Sequence, residues 1–309
     1  MSVIVCAYTQ RRWDDLTASV ESAIAQPDTT EVILVIDHER ELFERAAAAW
    51  PQITVVENAS RQGLSGARNT GVELASGVIV AFLDDDATAG PGWLRAMLDC
   101  FDAADVVAVG GRANPVWPHG LPSVTLPPEL LWVVGCTYRG QPTSREDVRN
   151  VMGCTMAFIR SPLVDIGGFN LDTGRVGQIP LGAEETEVCI RLRQANPATR
   201  IVFEPLSTVS HRVTPDRMTW RYLRRRSFFE GVSKAALSRS LGRGDALESE
   251  SAYARRILPA GVIRELRQGR PLGAAAIVLS LGAAAAGLAY GTLLRASVAA
   301  PARTKMVAP

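Results

Sequence analysis

The sequence is poor in lysine and histidine and has no excess of charge of either sign. Its 309 residues include 33 Lys and Arg, 32 Asp and Glu and three His, so the net charge is +1. A protein that binds nucleic acid by neutralising phosphates usually has a clear basic excess, so we expect no nucleic-acid polymer as a partner. A disordered chain is excluded as well, because 47% of the residues are hydrophobic.

Cysteine clusters and a secretory leader are also missing. The five cysteines are scattered, with no CxxC pair and no Cys/His cluster. This pattern favours single buried thiols in a reducing compartment over a zinc site or a disulfide framework. Met1 leads directly into the short apolar run 2–6 without a basic segment, so we expect no cleavable signal peptide and a cytoplasmic catalytic part.

One long segment, 272–294, contains no charged residue. As a helix it would be about 35 Å long, which is enough to cross a bilayer core. More arginines precede it than follow it, which favours a catalytic domain at the inner face of the plasma membrane if the segment spans. The stretch 252–269 mixes arginine with apolar residues, as an interfacial helix does. A spanning helix, an interfacial hairpin and a soluble helix remain open, and 252–295 is where we expect any membrane contact.

Apolar runs alternate with amphipathic stretches through the first hundred residues. The predicted strands are 2–6, 32–36, 53–56, 78–83 and 105–109. The predicted helices are 13–25, 39–49, 64–75 and 91–101. This order predicts a doubly wound α/β sheet that binds ligands beyond the carboxyl ends of its strands.

The second hundred residues are less regular. Six prolines between 112 and 150 indicate a loop-rich insertion over the sheet edge. Strand-like runs return at 153–159 and 200–204, with an acidic helix near 183–195 between them. A basic helical stretch follows at 216–240.

Three adjacent carboxylates, Asp84, Asp85 and Asp86, close the fourth predicted strand. Adjacent carboxylates repel one another and lose solvation at the end of a buried strand, and a divalent cation would offset both costs. Such a cation would also neutralise a diphosphate leaving group. An acidic turn that faces water is the alternative.

Three more polar residues are predicted near this edge of the sheet. Asp37 closes the second strand, where it would accept a hydrogen bond from a base or ribose, or cap the helix that begins near residue 39. Thr9 follows the first strand. Arg68 lies near the start of helix 64–75, where it would pair with phosphate, brace the acidic triplet or simply face solvent.

Two acidic residues and one histidine complete the set. Glu184 and Glu185 open the predicted acidic helix, a position that the helix dipole favours and that also suits a catalytic base facing a bound sugar. His211 follows the strand predicted around 201–203. A lone histidine is usually structural, and only the predicted metal site makes it a candidate ligand.

Taken together and in order, these residues resemble the family 2 inverting glycosyltransferases of GT-A fold. The similarity covers about residues 2–235. The matching parts are 2–9 as the first strand and nucleotide-binding loop, Asp37 as the base-binding position, 66–69 as the RN element, 84–86 as the DxD motif, 153–160 with 167–169 as the acceptor-side motif, Glu184-Glu185 as the ED position and His211 as a third metal ligand.

The resemblance implies a GT-A fold, which is a doubly wound mixed sheet, followed here by a C-terminal helical extension. The nucleotide-sugar-binding half would be 1–111, the acceptor-binding and catalytic half 112–240, and the helical, membrane-associated extension 241–309. The implied activity is metal-dependent, inverting transfer of one sugar from a nucleoside-diphosphate sugar to an acceptor hydroxyl. That hydroxyl would belong to a cell-surface glycan, a lipid-linked acceptor or a small molecule.

The resemblance also implies roles for the candidate residues. Those that would bind the nucleotide sugar are Thr9, Asp37, Arg68, Asp84 and Asp85. Asp86 and His211 would hold Mg²⁺ or Mn²⁺, and Asp84 would contact ribose or the metal. Glu185, beside Glu184, would take the proton from the acceptor hydroxyl as that hydroxyl attacks the anomeric carbon.

Three departures from the family pattern bear on function. Glu185 stands where Asp is commoner, and its side chain is one methylene longer but chemically able. Thr155 and Ile159 stand where Asn and Arg are common in the acceptor-side motif, which bears on acceptor choice. The QxxRW motif of processive synthases is absent near 222–226, so we expect one sugar to be added per encounter.

Two other functions remain open. A sugar nucleotidyltransferase shares the sheet and an acidic metal site, but it would normally carry a Gly-rich, basic loop where this sequence has 7–10. A catalytically silent, membrane-associated binding module of GT-A fold would not need to keep Asp86, Glu185 and His211. Donor hydrolysis in the absence of acceptor discriminates between these alternatives.

Overall fold

One mixed β-sheet forms the centre of the computed structural model, which describes residues 1–118, 126–172, 182–242 and 252–293. Within these ranges nine strands belong to the sheet. They are β1 (Ser2–Ala7), β2 (Glu31–Ile36), β3 (Thr54–Glu57), β4 (Ile79–Asp84), β5 (Ala87–Ala89), β6 (Val106–Val116), β7 (Glu146–Asp147), β8 (Thr155–Ile159) and β9 (Arg200–Arg212). Their spatial order is β3-β2-β1-β4-β8-β6-β9-β5, and β7 pairs with β9 outside this path.

Helices connect the strands and cover both faces of the sheet. The α-helices of the described ranges are α1 (Trp13–Ile24), α2 (Arg40–Ala49), α3 (Leu64–Leu74), α4 (Trp93–Leu98), α5 (Arg160–Asp165), α6 (Glu184–Ala195), α7 (Trp220–Ser240), α8 (Leu258–Arg267) and α9 (Pro271–Leu293). Short 3₁₀ helices occur at Gln10–Arg12, Pro128–Val134 and Pro215–Arg217, and a π-helical turn, Tyr253–Ile257, leads into α8.

The central strands are continuous apolar runs because helices bury both of their faces. On β1, Val3 and Val5 belong to one core cluster and Ile4 to the other. α1 contributes Leu16 to the first cluster, and α6 contributes Val188 to the second. Since β1, β2, β3 and β4 are parallel, the residues that follow them meet at one edge of the sheet.

The predicted alternation of strands and helices is confirmed, with three differences. β5 is not predicted, because three residues after the acidic triplet carry no periodic signal. β6 continues to Val116 through the predicted loop-rich region, and β9 continues to Arg212, so that His211 lies inside a strand and not after one. Pro115 stands opposite His211 in the register of β6 with β9. A proline is tolerated there because β8 pairs with β6 only up to Gly110, which leaves an edge strand beyond.

The proposed halves 1–111 and 112–240 stay a prediction. β6 runs across their boundary, and β8 and β9 of the second half pair with β4 and β6 of the first. The donor-side and acceptor-side elements therefore share one sheet.

α7 and α9 lie side by side and run parallel. Ser227 of α7 and Ser280 of α9 share a hydrogen bond of 2.8 Å between their hydroxyls. A β-carbon on Gly231 would overlap the carbonyl oxygen of Ala284, and one on Gly287 would overlap the carbonyl oxygen of Phe228. The glycines therefore let the two helix backbones approach closely.

α9 is the helix in the described ranges that is long and apolar enough to cross a membrane, with a mean hydropathy of 2.0 and 39% of its most apolar window buried. The buried side faces α7. The other side exposes apolar residues, among them Leu272, Val278, Leu281, Tyr290 and Leu293. Residues 294 and 295, the end of the segment predicted to contact a membrane, lie outside the described residues, as does His119.

Candidate active site

A cavity of about 980 Å³ opens at the carboxyl ends of the parallel strands. Its walls include the ends of β1, β2 and β4, the start of α3 and α6, His211 on β9, and parts of α7 and α9. The sequence-predicted residues that line it are Asp37, Arg68, Asp84, Asp85, Asp86, Glu184, Glu185 and His211. The sheet topology thus brings together residues that are 174 positions apart in sequence, from Asp37 to His211 (211 − 37).

Three of these side chains form a metal-ligand cluster. Asp84, Asp86 and His211 each offer one atom, and the three atoms lie within 4.8 Å of one another. His211 Nε2 is 3.2 Å from Asp86 Oδ1. The pairing of β5 with β9 produces this geometry, because it sets Ala87 directly opposite His211.

Two arginines that the sequence did not indicate balance the acidic triplet. Arg12 Nη1 lies 2.9 Å from Asp85 Oδ1 and 3.1 Å from Asp86 Oδ2. Arg217 Nη2 lies 3.3 Å from Asp86 Oδ2. Arg12 follows the first strand and Arg217 follows β9, so proximity to strand ends is the signal that would have found them.

Neighbouring charges and burial shift the pKa values of the acidic residues and the histidine in this cluster. Burial alone would lower the pKa of His211, but the Asp86 carboxylate raises it to about 10. Burial would likewise raise the pKa of Asp86, yet His211 and then Arg217 hold it well below its usual range. Burial, and next the charge of Asp86, raise the pKa of Asp85 to about 7. Asp86 and His211 therefore form an ion pair at neutral pH.

The cluster fits a divalent cation. Carboxylate oxygens suit both Mg²⁺ and Mn²⁺, and an imidazole nitrogen favours the transition metal Mn²⁺ over Mg²⁺. Asp85 Oδ2 is also buried without a hydrogen-bond partner among the described residues. A buried polar atom of this kind calls for an explanation such as an ion or water.

Asp37 is held in place by a network of hydrogen bonds. Asn58 Nδ2 donates to its Oδ1 at 2.7 Å, and the backbone N–H of Gly63 donates to its Oδ2 at 2.9 Å. The helix-cap interpretation of Asp37 is wrong, because Glu39 caps α2 by accepting from the N–H of Leu42 at 2.7 Å. Asp37 thus faces the cavity with its orientation fixed.

Thr9 and Arg68 differ from their predicted surroundings. The hydroxyl of Thr9 caps the 3₁₀ helix Gln10–Arg12, and its neighbour Tyr8 lines the cavity instead. Arg68 is almost fully buried and donates to Glu184 Oε1 at 3.0 Å and to the carbonyl oxygen of Gly153 at 3.1 Å. Of the predicted alternatives for Arg68, the structure favours the bracing of carboxylates over a solvent-facing side chain.

Glu184 and Glu185 begin α6 after an unusual backbone turn. Ala183 has a φ of 81°, a conformation that residues other than glycine rarely adopt and that clusters at functional sites. Ala183 packs against Leu237 of α7, which helps to hold the turn. Glu184 forms an ion pair with Arg68, whereas Glu185 lines the cavity and is partly exposed. Burial, and next the charge of Glu184, raise the pKa of Glu185 to about 8.

The two departures in the acceptor-side motif lie away from the cavity. Thr155 is fully buried and accepts a hydrogen bond of 2.8 Å from Trp93 Nε1. Ile159 packs against the first core cluster. Neither residue lines the cavity, so neither would contact an acceptor bound there. Their expected effect on acceptor choice stays a prediction.

Comparison with known proteins decides the family. The model of glycosyl transferase family 2 matches residues 2–167, which is more than half of the chain. A glucosyl-dolichyl phosphate glucuronosyltransferase from Haloferax volcanii is 34% identical over 272 residues, and the match covers 86% of each protein. The chain belongs to glycosyl transferase family 2. The predicted enzyme class, a glycosyltransferase, is confirmed by this membership.

Further similarities agree with the place of the chain in family 2. The succinoglycan biosynthesis protein ExoO of Rhizobium meliloti is 33% identical over 143 residues, which are 41% of the chain and 40% of ExoO. Among solved structures, the mannosyltransferase PcManGT from Pyrobaculum calidifontis, in complex with GDP-Man and Mn²⁺, matches with a TM-score of 0.59 and 17% identity. That match covers 93% of this chain and 87% of PcManGT, and it confirms the GT-A fold.

Proposed function

We propose that this family 2 enzyme is a metal-dependent, inverting glycosyltransferase that adds one sugar per encounter from a nucleoside-diphosphate sugar. One observation carries the proposal. The metal-ligand cluster of Asp84, Asp86 and His211 and the carboxyl group of Glu185 line the same cavity at the carboxyl edge of the sheet. A displacement at an anomeric carbon needs both a group that neutralises the diphosphate and a base for the acceptor.

The donor occupies the part of the cavity beside β1, β2 and β4 in this proposal. Asp37 accepts from the base or ribose. Tyr8, which lines the cavity where Thr9 does not, takes the place of the predicted Thr9. Asp86 and His211 would hold Mg²⁺ or Mn²⁺ together with Asp84, and the metal would supply positive charge to the leaving diphosphate. The Mn²⁺ and GDP-Man of PcManGT support this choice of ligands for the present chain.

The acceptor hydroxyl approaches Glu185 from the other side of the cavity. Glu185 removes the proton as the oxygen attacks the anomeric carbon on the face opposite the diphosphate, which inverts the configuration. A carboxylate with a pKa of about 8 is a stronger base than an ordinary glutamate. Arg68 keeps Glu184 paired, so Glu185 is the freer carboxylate for this role.

We propose that the C-terminal helices hold the enzyme on a membrane surface and do not cross it. α9 packs along α7, and α7 carries the exposed residues Arg221, Arg224 and Arg225, whose burial in a bilayer core would be costly. α8 also exposes apolar residues, Ile263 and Leu266. Arginines mixed with exposed apolar residues are typical of helices at an anionic interface. A cytoplasmic catalytic domain at the inner face of the plasma membrane is consistent with this arrangement.

The acceptor offers a free hydroxyl, and it is a cell-surface glycan, a lipid-linked acceptor or a small molecule. The Haloferax relative is named for transfer to a dolichyl phosphate-linked glucose, and this name supports a lipid-linked acceptor. Family membership favours glycosyl transfer over the sugar nucleotidyltransferase alternative. The same membership argues against the silent binding module, and turnover of the donor is the measurement that separates the two.

A donor screen followed by one variant tests the proposal. Thermal unfolding is measured with UDP-glucose, UDP-glucuronic acid and GDP-mannose, each with Mn²⁺ or with EDTA. We expect one donor to stabilise the protein only with Mn²⁺, and we expect slow hydrolysis of that donor without acceptor. Stabilisation that EDTA does not change would contradict the metal role.

The variant Glu185→Gln then separates binding from catalysis. We expect it to lose transfer by about 10²- to 10⁴-fold, the contribution of a positioned base, while donor affinity stays within twofold. The control Glu21→Gln removes an exposed carboxylate of α1 and should behave as wild type. Wild-type turnover by Glu185→Gln would remove Glu185 from the role of base.

A further inference from the structure

The cavity has a second, apolar branch that the donor and the metal do not require. This part of the cavity is lined by residues of α7, α8 and α9. Its walls are Leu258 at the start of α8 and four residues of α9, Leu281, Ala284, Ala285 and Leu288. A nucleotide sugar has no apolar part that would fill such a branch.

Close packing of α9 on α7 creates this branch. Gly231 contacts the backbone at Ala284, and the Ser227–Ser280 hydrogen bond fixes the register of the two helices. The small side chains of Ala284 and Ala285 then leave space beside α7. The apolar helix of the chain is thus part of the wall of the active-site cavity.

Two cations lie where the apolar branch joins the catalytic part of the cavity. Arg226 Nη1 is 2.8 Å and Lys234 Nζ is 3.4 Å from the carboxylate of Glu230, which lies between them. Arg226 also stacks over the ring of Trp132 at 5.6 Å. Arg226, Lys234 and Trp132 line the cavity, and so does Glu230. A β-carbon on Gly182, two positions before Glu184, would lie 3.4 Å from Arg226 Nη2, so Arg226 reaches the start of α6.

We infer that this branch binds the acceptor through an apolar chain, with the phosphate that joins chain and sugar near Arg226 and Lys234. The inference rests on the proposed glycosyl transfer, because it names the acceptor of the same site. The acceptor is an amphiphile with a long hydrocarbon chain, an anionic phosphate and a sugar whose hydroxyl reaches Glu185. A phosphate gains charge-assisted hydrogen bonds from two cations, and the chain loses its contact with water.

The outer end of the branch agrees with this occupant. Leu281 is 40% exposed and Tyr290 and Leu293 are more exposed still, so the branch opens onto the apolar face of α9. A chain longer than the branch therefore continues along this face and into a lipid surface. The sugar end remains in the polar part of the cavity.

The test uses farnesyl phosphate as a probe, below its micelle concentration and without donor. Binding is measured by isothermal titration calorimetry on the full chain. We expect farnesyl phosphate to bind at least tenfold more tightly than either farnesol or inorganic phosphate. Equal affinity of farnesol would overturn the phosphate site, and equal affinity of inorganic phosphate would overturn the apolar branch.

Three variants locate the probe. Ala285→Trp fills the branch and Lys234→Gln removes one cation, and we expect each to weaken farnesyl phosphate binding at least tenfold. Ala275→Trp, an exposed position of α9 that does not line the cavity, is the matched control and should bind as wild type. Equal affinity of Ala285→Trp and wild type would overturn the inference. Binding to phosphatidylglycerol vesicles is measured in parallel. If Ala285→Trp loses vesicle binding but still binds farnesyl phosphate, the branch binds membrane lipid and the inference is overturned.

A second readout separates this inference from the proposed function. Ala285→Trp should keep the Mn²⁺-dependent thermal stabilisation by the donor, because the donor side does not include α9. Donor binding without probe binding refutes the lipid branch and leaves glycosyl transfer intact. Probe binding by a protein that binds no nucleotide sugar refutes the proposed function on which the inference depends.

Discussion

The raised pKa of Glu185 gives a prediction about the pH dependence of catalysis. The group must be ionised to accept a proton, and its pKa of about 8 lies above neutrality. At pH 7 about a tenth of the enzyme then carries the ionised base, and at pH 6 about a hundredth. We therefore expect kcat/KM to fall about tenfold per pH unit below pH 8.

The variant Glu184→Gln tests the cause of this fall in kcat/KM below pH 8, which is the acidic limb of the pH profile. After burial, the charge of Glu184 is the largest contribution that raises the pKa of Glu185, and Arg68 lowers it. The substitution removes the negative neighbour and releases Arg68 from its ion pair at 3.0 Å. Both changes favour the ionised form of Glu185, so the pKa falls and the acidic limb moves to lower pH.

The magnitude is measurable because each pH unit corresponds to about 1.4 kcal/mol and about tenfold in rate. If the pKa of Glu185 falls by one unit, kcat/KM of Glu184→Gln at pH 6 is about tenfold higher than that of wild type, when each is expressed relative to its own plateau at high pH. The assay is kcat/KM from pH 5.5 to 9.5 at saturating Mn²⁺, with Glu21→Gln as control. A rate independent of pH between 6 and 8 in wild type, or an acidic limb that Glu184→Gln leaves in place, would refute the reasoning.

Three further predictions concern the metal, the helix packing and the membrane. His211 must lose a proton to bind a metal, and its pKa is raised to about 10, so Mn²⁺ binding at pH 7.5 should release about one proton. Calorimetry in buffers of different ionisation enthalpy measures this release, and His211→Asn should abolish it. Gly287→Ala should lower the free energy of unfolding by about 1–3 kcal/mol in thermal or urea unfolding, because the new β-carbon overlaps the Phe228 carbonyl. Gly282→Ala, with open space around it, should be neutral or stabilising by up to about 1 kcal/mol, and equal effects of the two would contradict the packing argument. Leu266→Glu on exposed α8 should reduce sedimentation with phosphatidylglycerol vesicles several-fold, whereas Glu73→Gln on α3 should not; unchanged sedimentation of Leu266→Glu would count against the membrane face.

The sequence predicted the parts of the site that local pattern determines. Asp84, Asp85 and Asp86 end a buried apolar strand, and Glu184 with Glu185 begins an amphipathic helix, so their neighbourhoods follow from periodicity of a few residues. The doubly wound α/β sheet follows from the alternation of such elements, and the resemblance to family 2 implied the GT-A fold. The roles of these residues stay predictions, although their common cavity agrees with them.

The remaining features depend on contacts between distant segments. Arg12 reaches the acidic cluster because β1 pairs with β4, and Arg217 reaches it because β9 returns beside β5. Their places at strand ends make them candidates, but the pairing of distant strands decides the contacts. Thr9 and Tyr8 differ by one position in a loop, and only the backbone turn into Gln10–Arg12 decides which of them faces the cavity. The Ala- and Gly-rich segment predicted as a membrane contact is also a wall of the active site, because its small residues match Gly231 on α7.

The order of elements along the chain has a consequence for biosynthesis. β9 pairs with β5, β6 and β7, so the sheet and the metal-ligand cluster can close only after residue 212 has left the ribosome. The apolar wall formed by α9 is synthesised later still. A nascent chain can therefore bring Asp84, Asp86 and His211 together before α9 completes the apolar wall of the cavity.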